Sequence, residues 1–209
     1  CMKFTGDDRL LIVVPLFHCF GCVLGVMSCL THGTTMVLMT RYNPEQEMEI
    51  LQNERCTAVH GVPTMFIGML EHESFSRFDF SNLRTGIMAG SPCPIKTMRD
   101  VTERMHLSEL TITYGQTECS PGMTMSRTDD PLELRVSTVG KLLPHTEGKI
   151  INPETGEELP RGTPGEIVTR GYHVMKGYYK MPEATKAAID ENGRLHTGDI
   201  GTMDADGNL

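Results

Sequence analysis

The sequence predicts an α/β fold in which a mainly parallel sheet flanked by helices is followed by a small, mostly-β subdomain. Short apolar runs alternate with helix-length segments over residues 1–126, as in sheets with crossover helices. After about residue 126, short strand-like runs are separated by turn strings rich in Gly and Pro. The chain has 209 residues, which is long enough to bury a sizeable core. We therefore expect an α/β subdomain over residues 1–126 and a distorted barrel or sandwich over residues 127–209.

In the first part, strands and helices alternate along the chain. The strands are predicted at Arg9–Pro15, Thr34–Met39, Ala58–Gly61, Arg84–Ala89 and Leu110–Thr113. The helices are predicted at Cys22–His32, Pro44–Asn53, Thr64–Glu71 and Ile95–Met105. Gly33 marks a helix end, and Pro44 and Pro63 mark helix starts. Ligands of such sheets bind beyond the carboxyl ends of strands, so we expect His18, Gly90 and Tyr114 to converge on one crevice.

The second part contains mainly short strands. They are predicted at Val139–Lys141, Glu147–Ile151, Gly165–Arg170 and Ile200–Met203. The segment Pro182–Ile189 is the only helix predicted after residue 126. Three histidines of this part, His145, His173 and His196, are expected on the surface.

Composition excludes several functional classes. The net charge of −8 is spread evenly, so the sequence shows neither a basic face for nucleic acid nor a cationic helix for a membrane surface. No apolar run has the length of a membrane span. The seven cysteines, an odd number, all lie at or before Cys119, which favours reduced thiols and a cytoplasmic protein. Cys19 and Cys22 form a CxxC, but no second ligand pair follows, so zinc binding is disfavoured.

The turn after the strand Leu110–Thr113 carries a distinctive set of side chains. Tyr114 offers an aromatic face, and Gly115 lets a ligand approach the backbone. Thr117 offers a hydroxyl for a phosphate oxygen, and Glu118 a hard oxygen ligand for Mg²⁺. A binding site for a nucleotide and its metal ion requires these groups. The alternative is a strand followed by a polar turn without a binding role, because such short strings also occur by chance.

Four short motifs occur in a fixed order along the chain. They are Pro15–Gly21, Tyr114–Glu118, Gly165–Gly171 with Gly177-Tyr178, and Leu195–Asp199. With these motifs, the chain resembles the ATP-dependent adenylate-forming (AMP-binding) enzymes, specifically acyl-CoA synthetases. The segments Gly61–Thr64 and Ala89–Pro92 resemble the fatty-acyl branch of that family. The resemblance implies that a carboxylate attacks the α-phosphate of Mg·ATP to give an acyl-adenylate and pyrophosphate, and that the thiol of coenzyme A then displaces AMP.

The resemblance also implies roles for individual residues. The ATP/AMP-binding set comprises Gly90, Ser91, Pro92, Thr113, Tyr114, Gly115, Gln116, Thr117 and Asp199. Within it, Tyr114 flanks the adenine, Thr117 touches phosphate and Asp199 accepts hydrogen bonds from the ribose hydroxyls. The catalytic set comprises His18, Thr117 and the metal ligand Glu118, and the acyl pocket comprises His18, Val62, Met65, Ala89 and Gly115.

For some of these residues a purely structural role is the alternative. His18 has the alternative of a buried core histidine, and Asp199 that of a plain turn residue. The segment Gly165–Gly177 favours a β-hairpin over a binding site. The stripe of Met65, Phe66 and Met69 is more typical of core than of a pocket.

Two features that are typical of this family are absent from the sequence. It contains neither the lysine-ended Gly/Ser/Thr phosphate loop nor the C-terminal domain with a catalytic lysine, and it begins at Cys1. We therefore expect the middle of a longer enzyme, inactive by itself, whose whole form uses a carboxylate such as a fatty acid, ATP, Mg²⁺ and coenzyme A. The alternatives are an enzyme that loads a carrier protein, a luciferase-like relative, or a non-enzymatic nucleotide-binding module.

Overall fold

The computed structural model describes all 209 residues, which form two compact units that interleave along the chain. The first unit consists of Cys1–Thr113 and Ser126–Ser137, and the second of Tyr114–Met125 and Thr138–Leu209. The division after residue 126 that the sequence suggests stays a prediction. None of the helices combines the length and the apolar character that crossing a membrane requires.

Five parallel strands form the sheet of the first unit, in the order β2-β1-β3-β4-β5. They are β1 (Arg9–Ile12), β2 (Thr35–Leu38), β3 (Ala58–Gly61), β4 (Thr85–Met88) and β5 (Glu109–Tyr114). Every residue of β3 and β4 is buried, as expected for central strands that are covered on both faces. The predicted parallel α/β arrangement is confirmed.

The helices of the first unit match the predicted ones closely, with two differences. They are α1 (Ser28–His32), α2 (Pro44–Asn53), α3 (Pro63–Leu70), α4 (Ile95–Arg104) and α5 (Leu132–Ser137). A π-helical segment, Phe20–Met27, precedes α1, so this helical region begins two residues earlier than predicted. The expectation of a single helix after residue 126 is wrong, because α5 also forms. Its Arg135 side chain donates hydrogen bonds to the carbonyl oxygens of Leu110 (2.6 Å) and Ser108 (2.8 Å), contacts that local sequence does not encode.

A polar network joins the beginnings of the strands of the first unit. Asp8 is buried and accepts hydrogen bonds from Arg84 Nη2 (2.6 Å) and from Thr57 Oγ1 (2.7 Å). Arg84 also donates to Glu109 at 2.5 Å. One guanidinium therefore connects the segments that begin β1, β4 and β5.

The second unit is mostly β. A short antiparallel pair is formed by β6 (Thr124–Met125) and β7 (Lys141–Leu142). A three-stranded antiparallel sheet has the order β10-β9-β8, with β8 at Thr146–Ile151, β9 at Gly165–Gly171 and β10 at Leu195–Gly201. The helix α6 (Pro182–Ala188) completes the unit. Its core contains Cys119, Met123, Ile150, Ile167, Leu195 and Met203.

Three predictions for the second unit are wrong. The strand predicted at Val139–Lys141 lies at Lys141–Leu142. The last strand begins at Leu195 rather than at Ile200, because a bulge after His196 interrupts the alternation of buried and exposed residues. His173 is buried rather than exposed, since its Nε2 lies 2.9 Å from the Thr169 hydroxyl in the interior.

Candidate active site

The turn that follows β5 is held by close contacts within its own segment. A side-chain Cβ at Gly115 would lie 2.0 Å from the Pro121 carbonyl oxygen, so only glycine fits there. The Gln116 N–H lies 3.1 Å from Cys119 Sγ. Gln116 precedes a short 3₁₀ helix, Thr117–Cys119. The space that a side chain at Gly115 would occupy is therefore filled by the backbone of Pro121.

Tyr114 and Asp199, two predicted site residues 85 positions apart in the sequence, are brought together. The Tyr114 hydroxyl donates a hydrogen bond of 2.7 Å to Asp199 Oδ2. Burial, together with a smaller contribution from the Asp199 carboxylate, raises the pKa of the Tyr114 hydroxyl. The phenol therefore stays protonated and remains the donor, while Asp199 is exposed and accessible to a ligand.

The bulge that carries Asp199 is fastened to β9. The Gly198 N–H donates to Glu166 Oε1 (3.2 Å), and Glu166 Oε2 lies 3.0 Å from His196 Nδ1. The Thr197 hydroxyl donates to the carbonyl oxygen of Ile167 at 2.7 Å. Sequence reasoning assigned no role to Glu166 or Thr197, although both lie within the quoted motifs. Both hold the backbone next to Asp199.

Glu118 also has a tyrosine partner. The Tyr178 hydroxyl donates a hydrogen bond of 2.8 Å to Glu118 Oε1. The Met175 N–H donates to the Glu118 carbonyl oxygen, also at 2.8 Å. Sequence reasoning missed this role of Tyr178; the pair Gly177-Tyr178 in the third motif was its only signal. Thr117, the preceding residue, is exposed.

His18 lies in the loop between β1 and the π-helical segment of the first unit. It is exposed, so the alternative of a buried core histidine is wrong. Its Nδ1 accepts a hydrogen bond of 3.1 Å from the Phe20 N–H, which places the ring at the start of that helical segment. With Nδ1 occupied as an acceptor, the ring proton resides on Nε2 in the neutral form.

The loops after β3 and β4 meet in the first unit. A Cβ at Gly90 would lie 3.1 Å from Val62 Cγ1, and the positive φ of +90° at Gly90 favours glycine. Ala89 is buried, whereas Ser91 and Pro92 are exposed.

The stripe on α3 is divided between core and partly exposed positions. Phe66 and Met69 are fully buried, whereas Met65 and Val62 are partly buried and can contact a ligand. Thr113 lies near the end of β5 and is half-buried. The predicted convergence of His18, Gly90 and Tyr114 stays a prediction.

Known proteins provide an independent comparison. A family model described as AMP-binding enzyme matches residues 1–179. The putative acyl-CoA synthetase YngI of Bacillus subtilis is 53% identical over 207 residues, which are 99% of this chain and 38% of that protein. The acyl-CoA ligase SID4 of Ajellomyces capsulatus is 45% identical over 211 residues, covering 99% of this chain and 36% of that protein.

The fold is similar to solved structures. The ATP-bound MatB from Rhodopseudomonas palustris matches with a TM-score of 0.87 and 30% identity, covering 99% of this chain and 40% of that one. The chain therefore spans well under half the length of each of these three proteins.

Proposed function

Because this chain belongs to the AMP-binding enzyme family, we propose that the protein containing it is an ATP-dependent acyl-CoA synthetase. A carboxylic acid, in our proposal a fatty acid, attacks the α-phosphate of ATP and gives an acyl-adenylate and pyrophosphate. The thiol of coenzyme A then displaces AMP. The names of YngI and SID4 support the reaction class, and the nucleotide in the MatB structure supports ATP as the substrate.

The observation that carries the proposal is the 2.7 Å hydrogen bond between Tyr114 and Asp199. Adenine and ribose are joined directly in adenosine, so the residues that bind them must be neighbours. The bond uses the Tyr114 hydroxyl and one carboxylate oxygen, which leaves the ring face for the base and the second oxygen for ribose hydroxyls. The remaining members of this proposed set are Gly90, Ser91, Pro92, Thr113, Gly115 and Gln116.

Thr117 and Glu118 face the phosphates in this proposal. Mg²⁺ takes oxygen ligands and is usually bound through one or two carboxylates together with substrate phosphates, so the Glu118 carboxylate fits a cation that arrives with ATP. When bound, the cation neutralises phosphate charge. Thr117 donates its hydroxyl to a phosphate oxygen.

The acid is bound by other residues. His18 orients its carboxylate, and no general base is needed because the acid is already ionised at neutral pH. Val62, Met65, Ala89 and Gly115 contact the acyl chain. We place the reaction in the cytoplasm, in keeping with seven cysteines that form no disulfide. Since the chain spans 38% of YngI, we expect these 209 residues to be inactive by themselves.

The test uses the full-length protein and a panel of carboxylic acids of increasing chain length. We expect acid-dependent exchange of pyrophosphate into ATP, and AMP release that requires coenzyme A. Exchange without a response to coenzyme A would instead indicate a carrier-protein or luciferase-like enzyme. Nucleotide binding without any exchange would indicate a non-enzymatic module.

A variant tests the observation itself. Asp199→Ala removes hydrogen bonds to a charged group and should weaken apparent ATP affinity roughly 10- to 100-fold. The matched control is Asp206→Ala, at an exposed carboxylate of the same unit. An unchanged ATP dependence in folded Asp199→Ala would remove Asp199 from the site.

A further inference from the structure

Tyr178 touches the carboxylate that the proposed function assigns to the metal ion. Its hydroxyl donates to Glu118 Oε1 at 2.8 Å, although the two residues are 60 positions apart in the sequence. No other role was assigned to this side chain. It is 38% exposed, so packing alone gives a weak reason for an aromatic residue at this position.

Both members of this pair are held in place by further hydrogen bonds. The Tyr178 N–H donates to Thr185 Oγ1 at 2.9 Å, and the Thr185 hydroxyl in turn donates to the carbonyl oxygen of Met181 at 2.9 Å. The helix α6 thus fixes the backbone of Tyr178. On the other side, the Met175 N–H fixes the backbone of Glu118 at 2.8 Å. The hydroxyl-to-carboxylate contact therefore joins two anchored segments.

The chemistry of the contact suits an oriented metal ligand. A phenol has one proton to donate, so it engages one carboxylate oxygen and leaves the other for a second partner. In this contact the phenol is the donor and the Glu118 carboxylate is the acceptor. Partners that orient a ligating carboxylate commonly affect metal affinity as much as 10- to 100-fold.

We propose that Tyr178 is a positioning residue that holds the Glu118 carboxylate with Oε2 directed to the cation of a bound Mg·ATP. The proposal rests on the proposed function. Without the hydroxyl, the side chain of Glu118 samples several rotamers, and ordering it has to accompany each binding event. The effect therefore belongs to the cation-dependent part of nucleotide binding. A residue that merely latches the loop to the turn would instead affect every nucleotide alike.

The experiment measures nucleotide binding by calorimetry in the full-length protein, without turnover. The variant is Tyr178→Phe, which removes only the hydroxyl, and the matched control is Tyr179→Phe, whose ring is 85% exposed next to it. ATP is titrated over a range of Mg²⁺ concentrations, and AMP is titrated without the cation. In Tyr178→Phe we expect the Mg²⁺ concentration for half-maximal enhancement of ATP binding to rise about tenfold. AMP affinity should stay within about twofold, and Tyr179→Phe should match the parent.

Two outcomes overturn the role of Tyr178. One is a Mg²⁺ response in Tyr178→Phe equal to that of Tyr179→Phe. The other is a loss of AMP affinity as large as the loss for Mg·ATP, which would identify a structural latch. A parent protein whose ATP affinity ignores Mg²⁺ would overturn the proposed metal role of Glu118, and with it this inference. This last outcome is measured in the parent protein alone, so it can be distinguished from an incorrect assignment of Tyr178.

Discussion

Glu47 gives the protein a pH-dependent stability that can be measured. This residue lies on α2, is fully buried, and neither of its carboxylate oxygens has a hydrogen-bond partner. Burial raises the pKa of the Glu47 carboxyl from 4.5 to about 8. The nearby Tyr42 is uncharged over the same range, because burial and, secondly, Glu47 raise the pKa of its hydroxyl to about 12. At neutral pH the folded protein therefore carries a neutral Glu47 carboxyl.

The sign of the effect follows from proton binding. Between pH 4.5 and 8 the folded state holds a proton that the unfolded chain has released. The free energy of unfolding therefore falls as the pH rises through this window, and the stabilising contribution is fully present only below pH 4.5. One pKa unit corresponds to about 1.4 kcal/mol, so the whole window represents roughly 3–5 kcal/mol.

The assay is urea unfolding between pH 5 and 9 of the parent and of Glu47→Gln, which is neutral throughout. We expect the advantage of the variant over the parent to grow by roughly 3–5 kcal/mol between pH 5 and 8.5. Glu49→Gln, an exposed position on the same helix, is the control and should follow the parent. Parallel pH profiles for the parent and Glu47→Gln would show that Glu47 is ionised or hydrated in the folded state, and would refute this reasoning.

Three further outcomes are expected. Glu118→Gln keeps the shape of the side chain but removes its charge, so acid-dependent pyrophosphate exchange should fall at least tenfold more than AMP binding; equal losses would indicate a structural carboxylate. His18→Ala should change the dependence of the initial rate on the acid and leave its dependence on ATP near normal, and the reverse pattern would reassign the residue. Arg84→Met leaves the buried Asp8 without its cation and should lower the free energy of unfolding by about 2–4 kcal/mol, measured by urea unfolding.

Local sequence determined much of the first unit. The strand β3 and the helix α2 have the predicted bounds. For α2 the signal is local, because a Pro follows the Asn at the helix cap. The Asn43 side chain indeed accepts a hydrogen bond from the Gln46 N–H, at 2.9 Å. Local signals did not predict the features that depend on tertiary contacts. The helix α5 depends on the hydrogen bonds of Arg135 to another segment, and the burial of His173 depends on Thr169.

The candidate site divides in the same way. Tyr114, Glu118 and Asp199 were predicted as site residues because they stand in recognisable motifs, and a hydrogen bond joins Tyr114 to Asp199. The residues that hold them were missed. Glu166 lies 32 positions from Gly198 and Tyr178 lies 60 positions from Glu118, so spacing in the sequence carries no information on these pairs. Only the folded chain shows which donor reaches which carboxylate.

The choice of tyrosine as the partner has a physical consequence. Other carboxylates of the second unit are paired with cations. Glu147, for example, accepts two hydrogen bonds from Arg170, both at 2.8 Å. Such a pair offsets the charge of the carboxylate and occupies both of its oxygens. Asp199 and Glu118 are instead held by neutral phenols, each through one oxygen. A neutral donor fixes the orientation without cancelling the charge, so the second oxygen keeps its attraction for a ribose hydroxyl or a cation. Tyr178→Lys would place a positive charge beside Glu118 that offsets the charge of the carboxylate, and it should therefore weaken the binding of the cation.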